Sequence, residues 1–288
     1  MQTLAVVLLC LIALVFTVVA PRMMAPQVLF RRCPGPALLV WQCVALSGVA
    51  SALLAAPLAA WSLGEQQAGL LGAAVALSAM MLARLLISGH RVGTSLRALR
   101  RRHREWVDLL AGDDVATGAK ILAHPGPTAY CIPGDADHVV LSQGTLRALQ
   151  PEESAAVLAH ERAHLDARHD LVLEFFGVMH HAVPRAIRCD AALTEVRLLV
   201  EALADRAAIR RTGARPLAHA LVRMQHTPAS PQVALEDQLG VISGAEQARV
   251  RLLLIADAAT SRRGQTFAML AFALGVSATP CSLFALGV

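Results

Sequence analysis

The chain of 288 residues has little charge, few aromatic side chains and almost no lysine. Charged residues make up 16% and hydrophobic ones 56%, against about 25% and 45–50% in an ordinary soluble domain. That balance excludes a disordered chain and a molecule that is soluble throughout. Lysine occurs once, at Lys120, against 25 arginines, which reads as genomic composition and not as a binding feature. Cysteine is sparse and scattered (Cys10, Cys33, Cys43, Cys131, Cys189, Cys281), with no CxxC pair. A disulfide framework and a cysteine zinc site are therefore not expected. Acid is nearly missing from one part of the chain. Residues 1–104 hold ten arginines and one acid, Glu65, whereas residues 105–288 hold twenty acids and sixteen bases. The overall +5 describes neither part.

Four uncharged or nearly uncharged runs are long enough to cross a bilayer, which takes about 20 apolar residues. They are residues 1–20, 36–64, 68–89 and 264–288. Pro57 is expected to kink the second, and Arg84 to reach the headgroups from the end of the third. A cleaved signal peptide is the weaker reading of the first run, because MQTLAVV has no basic start. Arginines follow runs one and three and precede run four, so the positive-inside rule selects one threading. The N-terminus lies outside, residues 90–263 lie in the cytoplasm, and the C-terminus lies outside. The cluster Arg100, Arg101, Arg102 and Arg104 reads as a juxtamembrane anchor, and no direct nucleic-acid binding is expected.

Residues 90–263 have the composition of a polar domain. Leu96, Leu99, Trp106 and Leu109 have helical spacing. Lys120–His124, Ala129–Pro133 and His138–Ser142 are short runs between turn formers and predict a small meander or hairpin. Pro151, with Glu152 and Glu153 behind it, starts a helix expected to reach about Ala167. Leu171–Val183, Ala191–Thr212 and Ala245–Ala258 predict further helices, and 227–245 a long loop.

The helix begun at Pro151 contains HERAH, with His160 and His164 about one turn apart. Two imidazoles at that spacing project from one face and can hold one metal ion. Glu161 is displaced from that face by one residue, where it can reach a water activated by the metal and act as general base. Zinc needs a third protein ligand. Glu201 lies within LLVEALA, a costly place for an uncompensated carboxylate. Asp205, one turn on, can orient a ligand histidine. Glu195 is the competing third ligand but, beside Thr194 and Arg197, reads as more exposed. His169, His180 and His181 are weak candidates for a second metal, and Tyr130, His219 and His226 for stabilising an oxyanion.

HERAH followed by EALAD (Glu201 to Asp205) resembles the HExxH…ExxxD arrangement of gluzincin metallopeptidases. The lead-in AYCIPG…HVVLSQGTLRALQPEESAAVLAHERAHLDARHD looks like the BlaR/MecR-type membrane metallopeptidases, and three spans, a zinc domain and a fourth span is their order. The resemblance is to a short form: the chain ends at Val288, without the penicillin-binding sensor domain of the antibiotic-sensing members, so acylation by a β-lactam is not expected. It implies one Zn2+ bound by His160, His164 and Glu201, with Glu161 as catalytic base. It also implies an extended substrate pairing with an edge strand near His138–Ser142.

The expectation is thus a mainly α membrane protein: three spans within 1–89, a cytoplasmic α+β gluzincin-type zinc protease domain with a small β-sheet over 90–263, and a fourth span over 264–288. Its activity would be that of a zinc metalloendopeptidase acting on a cytoplasmic protein, a BlaI-type transcriptional repressor first among them. The rivals are an HtpX-like quality-control protease and a zinc-binding signalling module that cuts nothing. A transporter is disfavoured, since no run carries an acid at mid-membrane.

Overall fold

A computed structural model of the chain describes residues 2–62, 67–134, 136–224, 244–257 and 263–287. The GEQQ link carrying Glu65, and 227–243 of the expected loop, lie outside them, apart from Gln67. The helices are α1 (Gln2–Leu14), α2 (Ala20–Met24), α3 (Val28–Arg32), α4 (Pro34–Ser62), α5 (Ala68–Leu110), α6 (Gln143–Ala148), α7 (Pro151–Asp166), α8 (His169–Ala182), α9 (Asp190–Thr212), α10 (Ala214–Met224), α11 (Gly244–Asp257) and α12 (Arg263–Gly287). The strands are β1 (Ala111–Asp114), β2 (Ala119–Leu122), β3 (Ala129–Ile132) and β4 (His138–Ser142). Among the described residues, four helical stretches are long and apolar enough to cross a membrane: Thr3–Met24, Pro34–Ser62, Ala68–Leu110 and Arg263–Gly287.

The chain divides into two compact units, Met1–Val92 with Phe175–Val196 and Ser261–Val288, and Gly93–Glu174 with Arg197–Thr260. The stretch 175–196, inside the polar segment by sequence, thus groups with the apolar helices.

In the first unit α4 packs on α1 and α12. Ala5, Val6 and Leu9 meet Ala55, Leu58 and Ala59 in a core of small and branched side chains, which lets helices approach closely. A turn of π-helix, Val15–Val19, continues α1. A Cβ at Gly48 would stand 3.2 Å from Phe16 Cβ, so only glycine fits there without displacing that turn. Pro57 lies within α4. Beside it the hydroxyl of Ser78 donates to Ala52 O (2.5 Å) and accepts from Ala56 N (3.1 Å), supplying partners where the helix ladder is interrupted. Arg84 does not run out to headgroups: its guanidinium donates to the carbonyls of Ala182 and His181, the orphan acceptors at the end of α8.

In the second unit the sheet order is β1-β2-β4-β3. The hairpin expectation holds for β3 and β4, which pair antiparallel; a continuous meander does not form, because β2 pairs in parallel with β4 and not with β3. The short runs showed strand character but not pairing order, and β1 gave no sequence signal, since Ala-Gly-Asp-Asp has low strand propensity. Ala119, Val139 and Leu141 face Val157 and Leu158 of α7, whereas Tyr130, Ile132 and Val140 pack with Val107 of α5. The turn into α6 is tight: a Cβ at Gly144 would lie 2.1 Å from Pro125 O. Ser142 then caps α6 by accepting from Thr145 N. Helix α7 starts as its sequence predicts, with Pro151 in the first turn and Gln150 N donating to Glu153 Oε2 at 2.9 Å.

Candidate metal centre

Helix α7 brings His160 and His164 onto one face, and α9 brings Glu201 opposite them. The two Nε2 atoms lie 3.1 Å apart. Glu201 Oε2 is 3.3 Å from Nε2 of His160, and Oε1 is 3.4 Å from Nε2 of His164. A tetrahedral zinc ion with bonds of about 2.0–2.1 Å sets its donor atoms about 3.3–3.4 Å apart. The three side chains therefore already have the mutual spacing such an ion requires, and they form the one potential metal-binding group among the described residues.

The surroundings orient each donor. Asp205 Oδ1 lies 3.0 Å from His160 Nδ1, close enough for a charge contact but outside hydrogen-bond angles. His164 Nδ1 lies 3.2 Å from Nδ1 of buried His169. Arg251, on α11, grips Asp205 with two donors (2.9 and 2.5 Å) and reaches Glu201 Oε2 with a third nitrogen at 3.0 Å.

Charges follow these contacts. Burial opposes a proton on His160, yet the Asp205 and Glu201 carboxylates lift it to about 9. Burial, with the charge of His160 adding to it, pushes His164 down to about 4. Burial does the same to His169, helped by His164. Burial alone would raise Glu201, but Arg251 and the two histidines hold it well below the carboxylate range. Asp205 is likewise held down by Arg251 against its own burial. Glu161 goes the other way: burial raises its carboxyl above the ordinary value, Glu201 adds to this, and His160 and Arg251 only partly offset it. A carboxyl raised toward neutrality is suited to accept and return a proton.

Every residue singled out with HERAH and EALAD is thus brought together, Glu161 included. Glu195 is not exposed, as its polar neighbours suggested; it is buried and held by Arg31 at 2.8–3.0 Å. His180 pairs with Asp190 at 3.0 Å, and His181 Nδ1 meets Gly177 O, so neither joins a metal cluster among the described residues. Tyr130 lies on the sheet face that meets α5, away from α7. His219 stands 3.7 Å from Glu153 at the start of α7, before HERAH; His226 lies outside the described residues. The strand implied as the substrate edge, His138–Ser142, is interior, and the edges are β1 and β3. Cys131 of β3 lies close enough to Glu161 for the carboxyl's charge to bear on its thiol. Part of the basic cluster is spent internally too: Arg100 pairs with Asp170 and Glu174, and Arg104 donates to Pro133 O.

Arg251 and the contact of His169 with His164 were not anticipated. Three neighbouring acids, Glu161, Glu201 and Asp205, signal that a cation is needed, but no sequence rule says which arginine comes back. His169 folds onto His164 because Arg168 adopts φ +50°, a left-handed turn that non-glycine sequence does not announce.

No curated protein and no solved structure matches the chain. The segment that carries α7 and HERAH does have a counterpart: residues 100–187 match the model of Peptidase family M48, a family of membrane-associated zinc metallopeptidases.

Proposed function

We propose that the protein is a zinc-dependent endopeptidase held in a membrane by four spans, and that its substrate is a cytoplasmic protein. The observation that carries this reading is the convergence of His160, His164 and Glu201 at 3.1–3.4 Å, with Glu161 next to His160 on the same helix. The match of residues 100–187 to Peptidase family M48 supports it.

Zinc, when bound, polarises the scissile carbonyl and makes a water acidic enough to attack at neutral pH. The chain supplies the rest. His160, His164 and Glu201 are the ligands, and Asp205 and His169 fix the orientation of the two imidazoles. A histidine that ligates through Nε2 carries its proton on Nδ1. His164 then donates to His169 Nδ1, so His169 keeps its own proton on Nε2. Glu161 takes the proton of the attacking water and delivers it to the leaving amine. Edge strand β3 offers its outer backbone groups to an extended substrate, beside the Cys131 that lies close to Glu161.

For the substrate, the resemblance to BlaR/MecR-type peptidases favours one defined cut in a BlaI-type repressor, with the protease unit in the cytoplasm and both termini outside. Glu161→Gln in the full-length protein should leave zinc content unchanged by mass spectrometry and lower cleavage about 10²–10⁴-fold. Undiminished cleavage by that variant overturns the mechanism. New protein termini in cells carrying the wild type, compared with Glu161→Gln, identify the substrate. One cut in a DNA-binding protein supports the repressor reading, many cuts in misfolded membrane proteins support quality control, and no difference leaves a non-catalytic module.

A further inference from the structure

A second site, independent of the metal, lies within the first unit. Phe16, Trp41, Leu85, Phe176 and Leu193 wall a cavity of about 100 Å³, with Arg188 on its lining. Packed protein interiors leave few voids larger than a water molecule. One water needs about 10–15 Å³ by this measure, so the cavity has room for roughly seven to ten waters, or a chain of on the order of eight carbons. An apolar wall does not hold that many waters well, because each needs two to four polar partners.

The lining is mostly apolar, with Thr17, His180 and Arg188 as its polar side chains besides the indole of Trp41. Trp41 is buried, and its indole N–H has no hydrogen-bond partner among the described residues. Arg188 donates through Nη2 to the carbonyls of Val183 (3.1 Å) and His181 (3.4 Å), while its Nε is buried and without a partner. Both orphans are donors, and a buried donor left unpaired is costly. The nearest acid on this wall segment, Asp190, is paired with His180 at 3.0 Å. An occupant that matches this lining has an apolar chain along the wall and an anionic oxygen at the Arg188 guanidinium.

From this we infer that the cavity takes up the first several carbons of the acyl chain of a single-chain amphiphile, the rest of the chain lying in the bilayer and the carboxylate or phosphate head held by Arg188. Such a molecule reaches the cavity from the bilayer that the surrounding helices are proposed to span, either as a free fatty acid or as a lysophospholipid. Both present the same chemistry, a chain with an anionic oxygen head.

The test uses the full-length protein in detergent with photoreactive hexadecanoic acid, the matching lysophosphatidic acid, and a neutral hexadecanol probe with the same diazirine. Labelling should concentrate in peptides containing Trp41–Val49 and Met179–Leu193, and both anionic probes should exceed the alcohol about tenfold. Ala192→Phe and Ala45→Phe, which fill the cavity, should each reduce labelling about tenfold. Arg188→Gln should keep labelling but remove the anionic preference. Preference for the acid or for the phosphate identifies the source, and equal labelling means that only the oxyanion is read.

Labelling unchanged in both filling variants, or spread evenly over exposed helix positions such as Leu86 and Leu274, overturns the proposal. So does confined labelling with no anionic preference. If a phenylalanine variant loses its thermal transition, the smaller Ala45→Leu and competition by unlabelled hexadecanoic acid decide the matter in its place. None of these readouts depends on zinc or proteolysis.

Discussion

Helix α9 carries two carboxylates, Glu195 and Glu201, that end in opposite circumstances. In the first unit, Glu195 receives three contacts from Arg31, a guanidinium answering a carboxylate. In the second unit, Glu201 shares Arg251 with Asp205, and Glu161 feels the same guanidinium. Three carboxyl groups there face Arg251 and a protonated His160, which leaves up to one negative charge unmatched, and a divalent cation that displaces the His160 proton would answer it. Burial of an acid is thus a poor sign of a metal site by itself. The unmatched charge is the better sign, since a buried charge must find a partner.

The contrast can be broken by exchanging the two fates. Glu201→Gln should empty the site, with zinc falling to about one-tenth of the wild-type content or less and cleavage falling with it, because it removes one of only three ligands. Glu195→Gln should keep both, and loss of zinc there would erase the distinction. Arg31→Met should cost about 3–5 kcal/mol in unfolding with or without zinc, since it strands a buried carboxylate. Arg251→Met should cost a similar amount in the metal-free protein, but saturating zinc should return most of it, up to about 4 kcal/mol at a thousand times Kd. Denaturation of both variants, with zinc and with chelator, tests the pair.

A smaller effect is expected from the orienting groups. His169→Ala and Asp205→Asn should each weaken zinc binding about 10–100-fold, measured by competition with a chromogenic chelator. The mildest test is pH. His160 is raised to about 9, so below that value it carries a proton that the ion must displace. Zinc affinity should therefore rise about tenfold per unit as pH climbs through neutrality and flatten near 9. Calorimetry in buffers of different ionisation heat should count about one proton released at pH 7.

The side chains of the candidate centre were legible because their spacing within each helix is local. His160, Glu161 and His164 lie within two turns of one helix, and Glu201 and Asp205 within two turns of another, so helix geometry alone pairs them. The long apolar helices were legible for a similar reason, since composition over some twenty residues suffices. What escaped depends on distance in sequence or on single torsions. The place of β3 at the edge is a pairing choice among short strands with similar composition. The burial of Glu195 requires Arg31, more than half the chain away, and polar neighbours at Thr194 and Arg197 point the other way. Arg251 sits in a helix whose register against α9 no local pattern encodes.

The residues of the metal centre also arrive in a fixed order. HERAH, His169 and the edge strand with Cys131 belong to one contiguous stretch and can assemble early, as contacts of short sequence separation do. Glu201, Asp205 and Arg251 join only after longer loops have closed. An incompletely folded chain therefore presents two histidines without their carboxylate, a weak and undiscriminating chelator. A metal ion held by this cluster would therefore be captured tightly only as the last event of folding, once the unit around it has been completed.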